Sequence, residues 1–299
     1  CTASAAPEHS AGKWDPALVE LFRDVPIQDG GRVKPLDTFA AFSLLRINGK
    51  RTFTTKDGAR LTPMEWLLDC LLYPEEAMNY KHFLVDDTEP FVAMGMPPLE
   101  RRQDRYSYAD LEPYLPELYR QQAEFHEIQA VDANKLTTTQ RLVLGLAGNV
   151  QLFQLLTSYF DFAAAQPIGD SKLLEKIFEG RDTVTMGEAM AQGGELRKAL
   201  QAIRLLMNDP SAAENAASYE KEGEKFAEAL FGFGQGAYRS VSMALIPPAD
   251  AAKKQWLTPA DFMSVSQQGM GGILLDSEDP IDVEGRHLAA LEKLALNRD

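Results

Sequence analysis

The sequence predicts a mainly α-helical fold, a helical bundle with a few short strands and hairpins, and three observations carry that prediction. Helix-start signatures recur: Thr62-Pro-Met-Glu65, Thr185-Met-Gly-Glu188, Ser211-Ala-Ala-Glu214 and Thr258-Pro-Ala-Asp261 each set a hydroxyl at the cap and an acid three residues on. Leu142 to Phe160 runs for 19 residues without a charge, far longer than a strand. Stretches that alternate in the manner of strands are short and bounded by Gly, Pro or Asp.

The elements follow in order. Trp14 to Phe22 reads as a first helix, with Asp15 as cap and Pro16 at the first helical position. Val25-Pro-Ile-Gln28 and Arg32-Val-Lys34 flank Asp29-Gly30-Gly31 as the two sides of a hairpin, because glycine tolerates the positive φ of a tight turn. Pro35 stops the ladder, and residues 36–48 carry apolar side chains at helical spacing up to Asn48-Gly49. Lys50 to Arg60 is a small hairpin or loop, and Thr62 opens the helix through Leu72. His82-Phe-Leu-Val85 and Pro90-Phe-Val-Ala-Met94 are expected as two extended segments, with residues 95–105 as a loop. Ser107 starts the next helix, interrupted by Pro113 and Pro116, and a longer one runs from about Glu117 to Asn134.

The uncharged run 142–160 meets the length of a bilayer span. Asn149, Gln151, Gln154, Thr157 and Ser158 are spread through it, and polar groups without partners are expensive in hydrocarbon. A buried central helix is therefore expected. Short helix 170–180, helices 185–208 and 211–231, a strand at 238–246, a helix opening at Thr258 and a last helix 283–296 complete the prediction. Residues 1–13 form a flexible tether and 14–299 one mainly helical domain.

At 299 residues, 45% hydrophobic and 25% charged, the chain has the composition of an ordered globular protein. A net charge of −14 repels phosphate backbones and anionic headgroups, arguing against nucleic acid and against membrane adsorption by charge. No Gly-rich phosphate loop follows a strand. The tether Cys1-Thr-Ala-Ser-Ala-Ala-Pro-Glu-His-Ser-Ala-Gly12 has the small, polar character of a mature bacterial lipoprotein start, with Cys1 as the acylated residue. Cys70, the only other cysteine, is expected as a buried thiol, and no Cys-x-x-Cys-His is present for covalent haem attachment. His126, in Glu124-Phe-His-Glu127, lacks the second histidine at helical spacing of a zinc-hydrolase motif and reads as a surface residue. No nucleophile, base and acid set stands out.

The segment Pro26-Ile-Gln-Asp-Gly-Gly-Arg-Val-Lys-Pro-Leu-Asp-Thr-Phe-Ala40 resembles the one that opens the extracytoplasmic domain of system II cytochrome c biogenesis proteins, the membrane-bound haem-handling synthases. The matching positions are Pro26, Gln28, Gly31, Arg32, Lys34, Pro35, Leu36, Asp37, Thr38 and Ala40, with weaker echoes in Arg46-Ile-Asn-Gly-Lys50, Pro63-Met-Glu-Trp66, Arg105-Tyr-Ser-Tyr108, Ile246-Pro-Pro248 and Trp256-Leu-Thr-Pro259. The resemblance implies a non-enzymatic, membrane-anchored module on the periplasmic face. Its partners would be an integral membrane protein or membrane complex and, through Cys1, the lipid bilayer; nucleic acid is not among them. The family's spanning helices and tryptophan-rich haem site have no counterpart here, so haem transport does not carry over. Gln28, Gly31, Arg32, Lys34, Pro35 and Asp37 are the interaction or structural motif, and Arg32, Lys34 and Asp37 are expected to form an ion-paired cluster, with propionate clasping as the alternative role for the two cations. His82 is the candidate haem contact; no bound metal is expected. The alternative function is a structural lipoprotein subunit of a respiratory or photosynthetic membrane complex.

Overall fold

Thr62 Oγ1 accepts a hydrogen bond from Glu65 N at 3.3 Å while the Glu65 carboxylate accepts from Thr62 N at 2.7 Å, closing the capping box that the sequence encodes. The structure, a computed structural model, describes residues 14–85, 104–207, 214–235, 239–248 and 254–261, together with Glu89, Val92, 94–97, Ala252 and 290–293. The tether with Cys1 and His9, His287, the start of the helix expected at Ser211 and all but four residues of the last helix lie outside the described residues. What is described is mainly α-helical, with strands confined to short two-stranded pairs, as expected. The sequence reading treats 14–299 as one domain; the contacts group the chain into two compact units, one of residues up to Ile27 with Val33–Thr157, the other of Gln28–Arg32 with Ser158 onward.

The first unit begins with α1 (Pro16–Arg23), where Asp15 caps by accepting from Ala17 N at 2.9 Å. Strands β1 (Pro26–Asp29) and β2 (Arg32–Pro35) pair through Gly30 and Gly31, at φ 59° and 75°, and the boundary between the units falls within this hairpin. Helix α2 (Leu36–Asn48) ends at Gly49 in the left-handed region. β3 (Phe53–Thr54) and β4 (Arg60–Leu61) form a second hairpin, and α3 (Pro63–Leu72) is followed by a one-turn helix α4 (Pro74–Ala77) that the sequence reading does not anticipate.

β5 (Phe83–Val85) pairs antiparallel with β6 (Asp104–Tyr106); of the segment expected as extended over 90–94 only Val92 and Met94 are described, and Val92 is helical. The charged run around Arg105 misleads as a loop signal: its guanidinium reaches the Asn48 carbonyl at 2.7 Å and the Asn48 side chain, so the charge has a partner inside the fold. α5 (Tyr108–Leu111) and a 3₁₀ turn lead into α6 (Leu115–Val131), which starts before Pro116 and stops earlier than expected, because Asp132 leaves the helical region and caps a 3₁₀ turn over Ala133–Lys135.

Helix α7 (Thr138–Thr157) starts earlier than its uncharged run, where Thr137 and Gln140 cap each other. Its buried residues Val143, Leu146, Ala147, Val150, Phe153 and Leu156 recur at three- and four-residue spacing, which is one face of a helix. By length and composition Thr138–Ala163 is apolar enough to cross a membrane. The amides tell against that use. Gln151 and Gln122 bond each other at 3.0 and 2.8 Å, Gln154 bonds Tyr119 and Tyr108, and Asn149 bonds Arg46. With its polar groups satisfied by neighbours and its apolar stripe packed, α7 is a core helix of the first unit.

The second unit begins with a 3₁₀ segment (Tyr159–Ala163), followed by β7 (Gln166–Pro167), α8 (Lys172–Ile177), β8 (Thr183–Val184), α9 (Met186–Ala191), α10 (Gly193–Met207) and α11 (Ala216–Gln235). Leu174, Val184, Leu196, Ile203 and Phe226 form its core. The single helix expected over 185–208 is two, since Gln192 N turns back to Ala189 O at 3.1 Å and α10 restarts at Gly193. Conversely, α11 runs past the end expected at 231, through Gly232 and Gly234. Each costs only about 1 kcal/mol against alanine, less than the packing of Phe226, Ala229 and Leu230 returns. In place of a strand over 238–246 there are two isolated bridges, Gln28 with Ala244 and Ile246 with Leu257.

Candidate functional site

Gln28 is the most specifically held residue of the hairpin. Its Nε2 donates to Lys254 O at 2.6 Å, its Oε1 accepts from Trp256 N at 2.8 Å, and its backbone N–H donates to Ala244 O at 3.0 Å. A primary amide offers one donor and one acceptor side by side, so it bridges an extended backbone as a strand neighbour would. In this way one echo near the end of the chain, Trp256-Leu-Thr-Pro259, meets Gln28 directly through Trp256, and the other, Ile246-Pro-Pro248, is bridged to Leu257 of the first. Gly31 supplies the positive φ, and Arg32 is exposed.

In the first unit, Leu36 N donates to Val25 O at 2.8 Å where Pro35 hands the chain to α2. The expected ion-paired cluster is corrected by the structure: Asp37 pairs with Arg23 of α1 at 3.3 Å, and among the described residues Arg32 has no ion pair. The reason is helical geometry. Asp37 sits in the first turn of α2, where an acid is favoured, and α1 packs alongside with Arg23 in its last turn. The Lys34 ammonium lies 6.0 Å from the Phe42 ring centre, and the Arg51 guanidinium lies 5.1 Å from the same ring.

His82 is completely buried and ringed by Phe83, Phe153, Trp66, Phe53 and Tyr80 at centroid distances of 4.6, 4.8, 5.9, 6.0 and 6.4 Å. Trp66 Nε1 donates to His82 Nδ1 at 3.1 Å; indole only donates, so the neutral ring carries its proton on Nε2. Nε2 is buried and has no hydrogen-bond partner among the described residues. Burial pushes the imidazole down to about pKa 3. A metal or haem iron reaches Nε2 only after those rings part, so in this arrangement His82 does not fit as an axial ligand.

A neighbouring cluster of three side chains was missed from sequence. Asp69, fully buried on α3, accepts from Trp14 Nε1 and from the Tyr80 hydroxyl, each at 2.7 Å. Its one local signal is an acid inside the apolar run Trp66-Leu-Leu-Asp-Cys-Leu-Leu72. Burial, with Asp69 beside it, pushes the Cys70 thiol and the Tyr80 hydroxyl up, so neither ionises readily. Cys70 is the buried free thiol expected. His126 is exposed on α6, its ring nitrogens 3.1 Å from Gln129 Oε1 and 3.4 Å from Gln122 Nε2, and no group of three or more potential metal ligands occurs among the described residues.

The chain matches no family model, no curated protein and no solved structure.

Proposed function

We propose that this protein is a non-enzymatic, membrane-anchored extracytoplasmic module that works in cytochrome c biogenesis beside an integral membrane partner. The observation that supports this reading is the use to which the resembling segment is put. Gln28, Gly31, Pro35 and Asp37 all serve to fix backbone shape, through the amide bridge, the tight turn, the start of α2 and the Arg23 pair. A segment held this firmly, with Arg32 exposed at its tip, is built for presentation to a partner rather than for turnover. Acylated Cys1 anchors the module, and haem handling belongs to the partner.

Cross-linking in native membranes, followed by identification of the captured protein, tests this. A cytochrome assembly protein captured by the wild-type chain, in lower yield by Gln28→Ala, supports the reading. Capture of an energy-converting complex with no biogenesis protein overturns it in favour of a structural lipoprotein subunit, and mass spectrometry showing an unmodified Cys1 thiol on the native protein removes the anchor.

A further inference from the structure

The strongly acidic balance of the chain is not evenly spread. From Arg32 to Arg60 there are seven lysines and arginines against two acids, Asp37 and Asp57, in a protein whose net charge is −14. Within the first unit two cations of this run, Lys34 and Arg51, flank an exposed aromatic ring. Phe42, on the outer side of α2, is 53% exposed and flanked by Lys34 at 6.0 Å and Arg51 at 5.1 Å. Arg46, one turn further along the same helix face, is also exposed, its guanidinium turned to Asn149. Asp37 is already paired with Arg23, and Asp57 lies in the turn between β3 and β4.

An exposed phenylalanine alone needs no explanation. One held between two cations on a helix surface has the composition of a membrane-interface contact, with an apolar body to enter the headgroup region and long basic side chains to meet phosphates. Charges further than about 8–10 Å are screened at physiological salt, so a surface in contact with headgroups feels the local cations more than the distant carboxylates. We propose that Lys34, Phe42, Arg46 and Arg51 form a docking surface for an anionic lipid bilayer. The inference extends the membrane-attached reading above but needs neither the acyl anchor nor a biogenesis partner. It orients the first unit with the outer face of α2 toward the lipid.

Co-sedimentation of the full 299-residue chain, expressed without an acyl group, with vesicles of phosphatidylglycerol and of phosphatidylcholine tests it. Binding to the anionic vesicles alone is expected, weakening as salt rises. A basic side chain at an anionic surface contributes roughly fivefold in affinity, so Arg51→Glu, which removes one attraction and adds a repulsion, should weaken binding by about tenfold or more. Phe42→Ala should weaken it several-fold with little change in salt dependence, and Lys172→Glu, the same charge change in the second unit, should leave it unaltered. Unchanged melting curves for the exposed-site variants establish that they are folded. Equal binding to both lipids, equal loss with Lys172→Glu, or binding to acidic peptides but not to anionic vesicles overturns the proposal. Cross-linking to a biogenesis partner succeeds or fails independently of these results.

Discussion

A buried imidazole whose Nε2 has no hydrogen-bond partner among the described residues makes a definite demand on solvent. Folded, His82 stays neutral down to about pH 3, whereas in the unfolded chain it takes up a proton near its ordinary pKa of 6.5. Above pH 6.5 the two states are equally unprotonated at this site, and it adds no pH dependence. As pH falls below 6.5 the unfolded chain binds the proton first, so stability is lost, and the loss levels off only near pH 3. By this linkage the wild-type chain should lose about 2 kcal/mol more between pH 7.5 and pH 5 than His82→Gln, read as the difference in urea midpoints multiplied by the slope. Equal pH dependence of the two proteins would refute the assignment. Asp69 makes the complementary case, since it serves two buried donors at once. Asp69→Ala strands the Trp14 indole and the Tyr80 hydroxyl and should cost about 3 kcal/mol or more, with Asp69→Asn, which keeps one acceptor, in between; urea titration followed by tryptophan fluorescence measures both.

Among the elements, the turns give the sharpest comparison. Gly31 and Gly49 both have positive φ, 75° and 69°, so alanine at either meets the left-handed penalty of roughly 1–2 kcal/mol. Space separates them: a Cβ on Gly31 meets nothing within 4 Å, whereas one on Gly49 falls 2.5 Å from Leu84 Cδ2. Gly49→Ala should therefore be the more destabilising of the two by about 1 kcal/mol, the cost of driving Leu84 off its rotamer, as thermal or chemical unfolding will show. The same contrast explains what could be read in the sequence. The boxes at Thr62 and Glu65, Ser107 and Asp110, and Thr258 and Asp261 were legible because cap and acid are three residues apart and the bond depends on little else. The β5 to β6 pairing was not, since its partner lies about twenty residues away and is stabilised by Arg105 reaching Asn48. Nor was the bridge made by Gln28, whose partners lie 226 and 228 residues on. At the candidate site the residues were named but their partners were not. Asp37 was matched with cations next to it in sequence, while the one it meets arrives on a different helix.

For the whole molecule, charge and stability converge in acid. At neutral pH the net charge of −14 keeps copies apart by repulsion, and the sequence pI of about 4.8 places the loss of that repulsion within the interval where His82 is already destabilising the fold. The two effects reinforce each other, because weakened folding exposes apolar core, Trp66 and Phe153 foremost in the first unit, just as carboxylates that would disperse the opened chains become neutral. Solubility should accordingly pass through a minimum close to pH 4.8. Aggregation there should begin on mild warming, well below the unfolding temperature at pH 7.5, and light scattering during a slow temperature ramp at each pH distinguishes the contributions. If charge alone governed, aggregates formed at pH 4.8 would consist of folded chains with native near-ultraviolet dichroism and would redissolve on return to neutrality. Loss of that dichroism before scattering rises, with incomplete redissolution, is the result expected from a fold whose buried histidine favours the unfolded state in acid.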